Sequence, residues 1–515
     1  MTAGVSVGRT TDASLDRAAR GSIINLLGAA VSAVANFALT VTVARLVAQD
    51  EAGVFFAATS LFLLTVAVGQ LGTNTGLVFF ISGARARGEL RHAQSYMRVA
   101  AVPVLVASAL LAIGVFLAAE PLGQLLSPGR ESEFATYMRV MAFFVPCAAI
   151  VNLGVSGTQG LGTMRAFAAL DHVSKPVLQL VLVGIALAVM GPGSAAWAWS
   201  VAYLPVAVLA WLWWRRLRDR AAPQMRDPQL QPAGRFWRFT SPRAFANVTQ
   251  VAMQRLDIIL VGALAGLVDA AIYAAATRFL VIGQMIGRAV ATSGQPLLGE
   301  SLARGDRGSV QQLYRVTTAW IVLATWPWYL TLMLSSSVLL QAFGGNYRIG
   351  SGALVVLGGT MLFATSCGMV DQVLNMAGRS VLNLVNVITA FTVFVGLDLL
   401  LIPSLGFLGA AIGWSAAIAV ANLLPLLQVW STERVNPYGR PLVIAMLASV
   451  VSFGVVPAGL ALIVGSSLVS TLAGLALGSA LFALVLWRFR DSVHLPTLLE
   501  AVRRRRGRRT ASRSA

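Results

Sequence analysis

Residues 176–220 read PVLQLVLVGIALAVM, GPG, SAAWAWSVAYLPVAVLAWLWW and RRLRDR, and this stretch shows the pattern that decides the fold. Two apolar runs are separated by a neutral turn, and the second run ends in a basic cluster. A helix needs about 20 apolar residues to cross about 30 Å of hydrocarbon. The chain of 515 residues is 57% hydrophobic and 11% charged, whereas soluble domains carry about 25% charged residues. The sequence therefore predicts an all-α polytopic membrane protein.

The alternation of apolar runs and polar breaks predicts about fourteen transmembrane spans and leaves no stretch for a soluble domain. We place the spans, numbered from the N-terminus, at residues 21–46, 52–80, 96–119, 136–157, 166–190, 194–214, 241–266, 270–298, 313–341, 352–376, 381–402, 405–430, 441–464 and 466–488. The resulting organisation is a tail (1–20), an N-lobe of spans 1–6 (21–214), a basic linker (215–240), a C-lobe of spans 7–12 (241–430), a terminal helix pair (441–488) and a basic tail (489–515).

The distribution of positive charge predicts the orientation. The formal net charge is +19, and most of the 39 lysine and arginine residues fall in every second break. Because cytoplasmic loops carry an excess of these residues, and an even number of spans returns the chain to its starting side, both tails and the linker are predicted to be cytoplasmic. The run Arg503–Arg506 would otherwise suggest nucleic acid. We instead expect the basic breaks and the tail to bind anionic membrane lipids, with no nucleic acid as a partner.

The two predicted lobes resemble each other at an offset of 216 to 217 residues. The segment 86–89 (ARGE) matches 303–306 (ARGD), Gly162 matches Gly378, and Gly193 matches Gly409. Because each repeat holds an even number of spans, the two copies enter from the same side and are related by a pseudo-two-fold axis along the membrane normal. Two such lobes are expected to enclose a central cleft, which is the usual site in transporters that rock between two openings.

Polar side chains inside the spans are the candidate site residues. Amides lie at helical spacing in spans 1, 7 and 8, and we select Asn25, Asn36, Gln250, Gln254 and Gln284 as substrate-binding candidates in a cavity. The alternative is that these amides only hydrogen bond to neighbouring helices, as amides do in membranes.

Charges at membrane depth are more informative because each one costs several kcal/mol unless it is paired or solvated. Arg255, Arg278 and Arg288 are predicted to hold an anionic headgroup, since guanidinium groups suit phosphate. Asp257 and Asp371 are candidates for tuning that site or for coupling transport to an ion, and Arg278 is the expected partner of Asp257. The alternative is that these ions only hold the second lobe together.

Motifs of the common soluble enzymes do not occur. Lys175 is the only lysine and follows no glycine-rich loop, so a phosphate loop for ATP hydrolysis is excluded. Cys147 and Cys367 lie in apolar runs, and the three histidines (His92, His172, His494) are scattered. We therefore expect no catalytic residue, no metal site and no cofactor, and we interpret the protein as a transporter rather than an enzyme.

Four pieces of sequence resemble the polysaccharide flippases of the multidrug/oligosaccharidyl-lipid/polysaccharide (MOP) exporter superfamily. They are Ala44-Arg45-Leu46 with Gly53-x-Phe55, Leu256-Asp257 with Gly262 and Tyr273-x-x-Ala276, Phe343-Gly344 with Tyr347, and Ile402-Pro403-x-x-Gly406-x-x-Gly409-Ala410-Ala411-Ile412-Gly413. The last piece, at the turn between spans 11 and 12, is the most specific. The resemblance covers residues 20–430, and the terminal pair fits the members with fourteen spans.

The resemblance implies a flippase of the bacterial plasma membrane. Its substrate would be an undecaprenyl-pyrophosphate-linked oligosaccharide for surface polysaccharide biosynthesis, and Arg255, Arg278 and Arg288 would hold the pyrophosphate. Polysaccharide-assembly proteins are a further expected partner. No motif identifies the glycan.

Two other functions remain open at this point. The first is a cation-coupled multidrug antiporter of the same superfamily, in which Asp257 and Asp371 would form a cation site. The three arginines argue against a cationic cargo. The second is a membrane glycosyltransferase or polymerase, against which the short outer breaks argue.

Overall fold

The computed structural model describes residues 25, 27–89, 91–221, 233–464 and 468–493, which include no β-strand. The predicted N-terminal tail, residues 222–232 of the linker and residues 494–515 of the basic tail lie outside the described residues. The α-helices are α1 (Leu27–Leu46), α2 (Gln49–Gly69), α3 (Thr73–Ala86), α4 (Arg91–Leu117), α5 (Ala119–Leu126), α6 (Glu131–Ala142), α7 (Val145–Gly160), α8 (Lys175–Met190), α9 (Ala195–Val201), α10 (Tyr203–Ala221), α11 (Ala233–Leu264), α12 (Leu267–Ala303), α13 (Arg307–Leu334), α14 (Ser336–Leu340), α15 (Ser351–Ser366), α16 (Val370–Met376), α17 (Ser380–Leu405), α18 (Phe407–Glu433), α19 (Arg440–Val450), α20 (Val456–Val464) and α21 (Leu468–Arg488). Two π-helical turns, Phe167–Ser174 and Val451–Val455, precede α8 and α20, and two 3₁₀ turns lie at Pro192–Ser194 and Gly345–Gly350.

The described residues contain ten helical segments long and apolar enough to cross a membrane. The number is up to 11 if α6 and α7, which meet at 43°, count as one span. Within the described residues each predicted span lies mainly on helix, with breaks inside spans 2 and 10, but the count of fourteen is not confirmed. Spans 7, 9 and 14 are not among the ten segments. Spans 7 and 9 (α11 and α13) carry polar and basic side chains, which lower their mean hydropathy, and the apolar part of span 14 is short (Leu472–Arg488).

The chain divides by its internal contacts into two compact units, Met1–Ala275 and Ala276–Ala515. In the first unit, α7 packs against α3, α4 and α10 around a core that includes Leu77, Met97 and Trp214. The first unit also contains α11, because α11 packs along α2 and α3. At this crossing a Cβ on Gly76 would lie 2.4 Å from Thr240 Oγ1, so only glycine permits the approach.

An ion-pair network around Arg130 connects the break between α5 and α6 to the start of α2. The Arg130 Nη2 atom lies 2.7 Å from Asp50 Oδ2, and Nη1 lies 2.9 Å from Glu51 Oε1 and 2.7 Å from Glu133 Oε1. Hydrogen bonds to Glu133 and Glu51 raise the pKa of Arg130 above its ordinary value. Three carboxylates around one guanidinium make this network stronger than an isolated surface pair.

In the second unit, α13 is the central helix. It packs against α15 and α19, and the indole N–H of Trp320 donates to the carbonyl oxygen of Val493 at 2.9 Å. Predicted span 10 is broken at 367–369, where Gly368 has a φ of +69° and the hydroxyl of Tyr314 donates to the carbonyl oxygen of Cys367 at 2.7 Å. A Cβ on Gly368 would lie 2.1 Å from Thr318 Oγ1, which explains the glycine.

The hairpin of α17 and α18 is held by amides and by a buried carboxylate. Asn386 and Gln428 form two reciprocal hydrogen bonds of 2.7 and 2.8 Å, and Asn386 is buried. Asp398 is also buried, and a Cβ on Gly413 would lie 2.1 Å from its Oδ1 atom. The GxxGAAIG segment at the start of α18 therefore allows the carboxylate to fit against the helix backbone.

The sequence repeat appears in the structure as identical turns. Gly88 (φ +75°) and Gly305 (φ +69°) each donate to the carbonyl three residues earlier, and the next residue donates five residues back. Gly162 (φ +84°) and Gly378 (φ +77°) have the same pattern. All four are glycine C-caps of the Schellman type, which require a left-handed conformation.

Candidate functional site

A charged pair lies on the π-helical turn before α8. The N–H of Lys175 donates to the carbonyl oxygen of Leu170, five residues earlier, which is the hydrogen bond of a π-helix. The next residue, Pro176, has no N–H to donate. The widened turn carries Asp171, whose carboxylate forms an ion pair with the Lys175 ammonium. The side chains of Asp171 and Lys175 are 26% and 20% exposed, so both charged groups are partly accessible.

Tyr203, the first residue of α10, lies beside this pair. Lys175 Nζ is 5.6 Å from the centroid of the Tyr203 ring, which is the geometry of a cation–π contact. Gln179 hydrogen bonds to Tyr203 and donates to the carbonyl oxygen of Trp199 at 3.3 Å. Tyr203 and Gln179 are both buried, and the rings of Phe62 and Trp199 pack against Tyr203. The ion pair therefore lies on a fixed, buried surface.

Arg255 on α11 completes a group that we name the charged cluster: Asp171, Lys175, Tyr203 and Arg255. Arg255 is half-buried and lies within electrostatic range of Tyr203 and of Asp257. The depth of each group follows from the helix rise of about 1.5 Å per residue. Lys175 lies about 22 Å from the C-terminal end of α8, Arg255 lies about 14 Å from the C-terminal end of α11, and Tyr203 lies about 16 Å from Pro192, where its span begins on the same side. All three groups therefore lie well inside a hydrocarbon layer about 30 Å thick.

The predicted amides of the first unit differ in their surroundings. Asn36 donates to Ser32 of its own helix, at 2.8 Å to the carbonyl oxygen and 3.3 Å to the hydroxyl. Asn25 is half-buried, and within the described residues its Oδ1 atom accepts no hydrogen bond. Gln250 and Gln254 are exposed. Asp257 is buried, and its Oδ1 atom accepts from the N–H of Ile258 at 2.8 Å.

The remaining candidates belong to the second unit. On α12, Arg278 is half-buried, Gln284 is half-buried with Nε2 4.0 Å from Met361 Sδ, and Arg288 is exposed and within electrostatic range of Tyr329. Asp371 is exposed on the first turn of α16, directly after the break at Gly368. Arg288 and Asp371 are therefore accessible side chains rather than members of a packed core.

Sequence reasoning missed Asp171, Lys175 and Tyr203. The available signal was a single lysine inside an apolar run with an aspartate four residues earlier, since such spacing forms an ion pair on a helix. A charge at that depth is a functional candidate by itself. Within the described residues, no three His, Cys, Asp or Glu side chains come together in a way that could hold a metal ion.

Known families match the chain over most of its length. The family model described as polysaccharide biosynthesis protein matches residues 18–301, which is more than half of the chain, and the model described as MatE matches residues 242–408. No curated protein matches the chain.

Three solved structures are similar to the chain. The lipid II flippase MurJ in an inward closed conformation is 12% identical, with a TM-score of 0.71 over 92% of this chain and 100% of that one. An inward-facing multidrug resistance MATE family transporter of the MOP superfamily is 18% identical, with a TM-score of 0.65 over 82% of this chain and 98% of that one. A MOP superfamily transporter from Pyrococcus furiosus is 18% identical, with a TM-score of 0.56 over 81% of this chain and 95% of that one. The all-α polytopic fold expected from the sequence is confirmed, and the chain belongs to the polysaccharide biosynthesis protein family.

Proposed function

We propose that this multi-pass MOP superfamily transporter flips a lipid-linked oligosaccharide of the undecaprenyl-pyrophosphate type across the bacterial plasma membrane by alternating access. The headgroup crosses the protein while the lipid tail stays in the bilayer. Both termini are cytoplasmic in this proposal, and the exported glycan serves surface polysaccharide biosynthesis, in company with polysaccharide-assembly proteins.

The observation that carries the proposal is the presence of cationic side chains at membrane depth. Lys175 and Arg255 lie at mid-depth in the first unit, and Arg278 and Arg288 lie on α12 of the second. Cations inside an apolar layer are costly and are retained where a negative group must pass. The phosphates of a lipid-linked oligosaccharide are such groups, whereas a cationic drug would be repelled.

The MatE match over residues 242–408 favours one second candidate, a cation-coupled multidrug antiporter. Asp257 and Asp371, both within that match, would then bind the coupling cation or the drug. A glycosyltransferase or polymerase has no comparable support, because the relatives that share the fold are transporters.

The deciding experiment is charge reversal on α12. Arg278→Glu and Arg288→Glu are each expected to abolish surface glycan export in a deletion strain, with lipid-linked precursor accumulating inside the cell, and to leave drug resistance unchanged. Arg348→Glu, on the turn Gly345–Gly350, is the control and should export normally. Loss of resistance with normal export would favour the antiporter, and sugar transfer by the purified protein in detergent would favour an enzyme.

The basic breaks are proposed to bind anionic lipid headgroups. Arg215, Arg216, Arg218 and Arg220 lie at the end of α10, and Arg235 and Arg238 lie at the start of α11. Each such residue near an anionic surface contributes about 1 kcal/mol at physiological ionic strength. We expect co-purified anionic lipid to decrease when these arginines are replaced by glutamine.

A further inference from the structure

We infer that Lys175 binds a phosphate group of the cargo by exchanging its counterion, releasing Asp171 and taking the phosphate in its place, with Arg255 as the second cation. The inference rests on the proposed function, because it assigns the headgroup phosphate of that cargo to the charged cluster. It adds residues, a counterion and a release step to the general expectation that cationic side chains hold the headgroup.

An ion pair at this depth contributes little to the stability of the fold. Replacing a buried ion pair by well-packed apolar side chains is often neutral or stabilising, so an ion pair by itself gives little stability. This chain nevertheless places its only lysine inside an apolar run, where the ammonium needs a partner at all times. Asp171 supplies that partner when no cargo is bound.

The two charged groups are more exposed than the side chains packed beneath them. The side chains of Lys175 and Asp171 are 20% and 26% exposed, whereas Tyr203 is 4% and Gln179 3% exposed. A ligand can therefore reach the ammonium and the carboxylate without disturbing the buried surface beneath them. The Tyr203 ring keeps the ammonium in place through the cation–π contact when the carboxylate leaves.

The charges around Lys175 and Arg255 are balanced. Asp171 and Asp257 balance Lys175 and Arg255, so the cluster with Asp257 is neutral without cargo. A phosphate diester or pyrophosphate that enters repels the Asp171 carboxylate and attracts both cations. Lysine suits such an exchange because its ammonium is a point charge on a flexible stem, with no fixed fork geometry to rebuild. The π-helical turn that carries Asp171 is a backbone form that often occurs at functional sites.

The exchange gives Asp171 a role in release. When Asp171 returns to Lys175, it competes with the phosphate, which weakens binding and allows the cargo to leave. Removing the carboxylate should therefore strengthen cargo binding and slow turnover. A purely structural pair predicts no gain in binding, because the uncompensated lysine would lower the stability of the first unit without strengthening any contact with the cargo.

The test measures ligand binding to the purified full chain in detergent by intrinsic tryptophan fluorescence. The probes are undecaprenyl pyrophosphate, inorganic pyrophosphate and undecaprenol, which lacks phosphate. Lys175→Gln is expected to weaken undecaprenyl pyrophosphate binding about tenfold or more. Asp171→Asn is expected to strengthen it about threefold to tenfold and to slow glycan export. Lys175→Arg should retain part of the affinity, and Arg348→Gln, the matched control, should bind as the unchanged protein does.

Four outcomes decide the matter. Inorganic pyrophosphate with the same dependence on Lys175 and Asp171 supports the anion exchange and shows that the lipid tail is not required. Undecaprenol binding as tightly as undecaprenyl pyrophosphate overturns the inference. Weaker or unchanged binding by a folded Asp171→Asn variant, with Tm as a check of folding, also overturns it. If glycan export requires the protein but Asp171→Asn does not bind more tightly, this inference fails while the proposed function stands.

Discussion

The segment from 167 to 190 in the first unit and α17 in the second follow equivalent glycine turns, yet their interiors differ in charge. At the offset of 216 residues that aligns Gly162 with Gly378, Asp171 corresponds to Val387 and Lys175 to Phe391. The first segment carries an ion pair beside Tyr203, whereas α17 is joined to α18 by the neutral pair of Asn386 and Gln428. The repeat therefore supplies a common scaffold, and we interpret the charged pair as a functional addition to one copy.

The largest expected effect comes from moving the residues of α17 into the first unit. The double variant Asp171→Val with Lys175→Phe should reduce glycan export to background, because the charged cluster loses its ammonium. Stability should change little, since both ions are removed together. Export in a deletion strain and Tm of the purified protein are the two measurements. The matched control is Val387→Leu with Phe391→Leu in α17. Normal export by the first variant would show that the charge difference between the segments is not functional.

A smaller effect is expected from breaking the amide pair of the second unit. Asn386→Leu leaves the buried end of the Gln428 amide without its partner, which should cost about 1–2 kcal/mol of stability. Adding Gln428→Leu should recover most of this loss, because neither amide then remains unsatisfied. Thermal unfolding of both single variants and the double variant in one detergent gives the coupling. Additive losses would mean that the two amides do not act as a pair.

The shared turns give a third test of the comparison. Gly88→Ala and Gly305→Ala should each lower the free energy of unfolding by about 1 kcal/mol, because both glycines have a positive φ that alanine adopts only with strain. A Cβ at either position would meet nothing within 4 Å, so no steric clash adds to this cost. Equal losses of Tm would support structural equivalence of the turns. Gly114→Ala, in the interior of α4 with open space around it, should instead be neutral or stabilising. A cost at only one of the two turns would contradict the equivalence.

The smallest expected effect is on the pH dependence of stability, and it comes from the acidic residues Asp306 and Glu89, which follow the turns at Gly305 and Gly88. The Asp306 carboxylate accepts hydrogen bonds from the hydroxyl and N–H of Ser309, at 2.6 and 3.1 Å, and these bonds lower its pKa from 3.8. Because the folded-state pKa lies below the unfolded one, this N-cap stabilises α13 at pH values above about 4 and is lost as the pH falls further. The difference in Tm between the unchanged protein and Asp306→Ala should therefore shrink on acidification. At the matching position, the hydrogen bond from Arg87 lowers the pKa of Glu89. Arg87→Gln should therefore remove the pH dependence of stability that Glu89 contributes.

The positions of the ten segments that are long and apolar enough to cross a membrane were predictable, because each depends on a local property, a run of apolar residues as long as the hydrocarbon layer is thick. The break inside span 2 was not predictable in this way. There the apolar run continues, but Leu71 (φ +49°) and Gly72 (φ +73°) interrupt the helix. A Cβ on Gly72 would lie 2.5 Å from the backbone nitrogen of Ala244, so the break depends on the approach of α11.

The candidate site was only partly predictable. Arg255 and Asp257 were identified from their depth in an apolar run; Arg255 belongs to the charged cluster, and Asp257 lies within electrostatic range of Arg255. Asn36 was selected from the helical spacing of amides in span 1, but its side chain donates to the backbone of its own helix, which spacing alone does not reveal. Lys175 was recognised as the only lysine and was not assigned to a site, since its meeting with Tyr203 joins two different helices.

The sequence by itself determined the membrane class of this protein, the location of its spans, its repeat and its family. These properties follow from composition and from short segments of the chain. Only the tertiary structure decided which polar groups meet at mid-depth, because the rotation of each helix about its axis depends on the helices packed around it. For that reason Lys175, Tyr203 and Arg255, which lie on three different helices, form one cluster only once the first unit is folded.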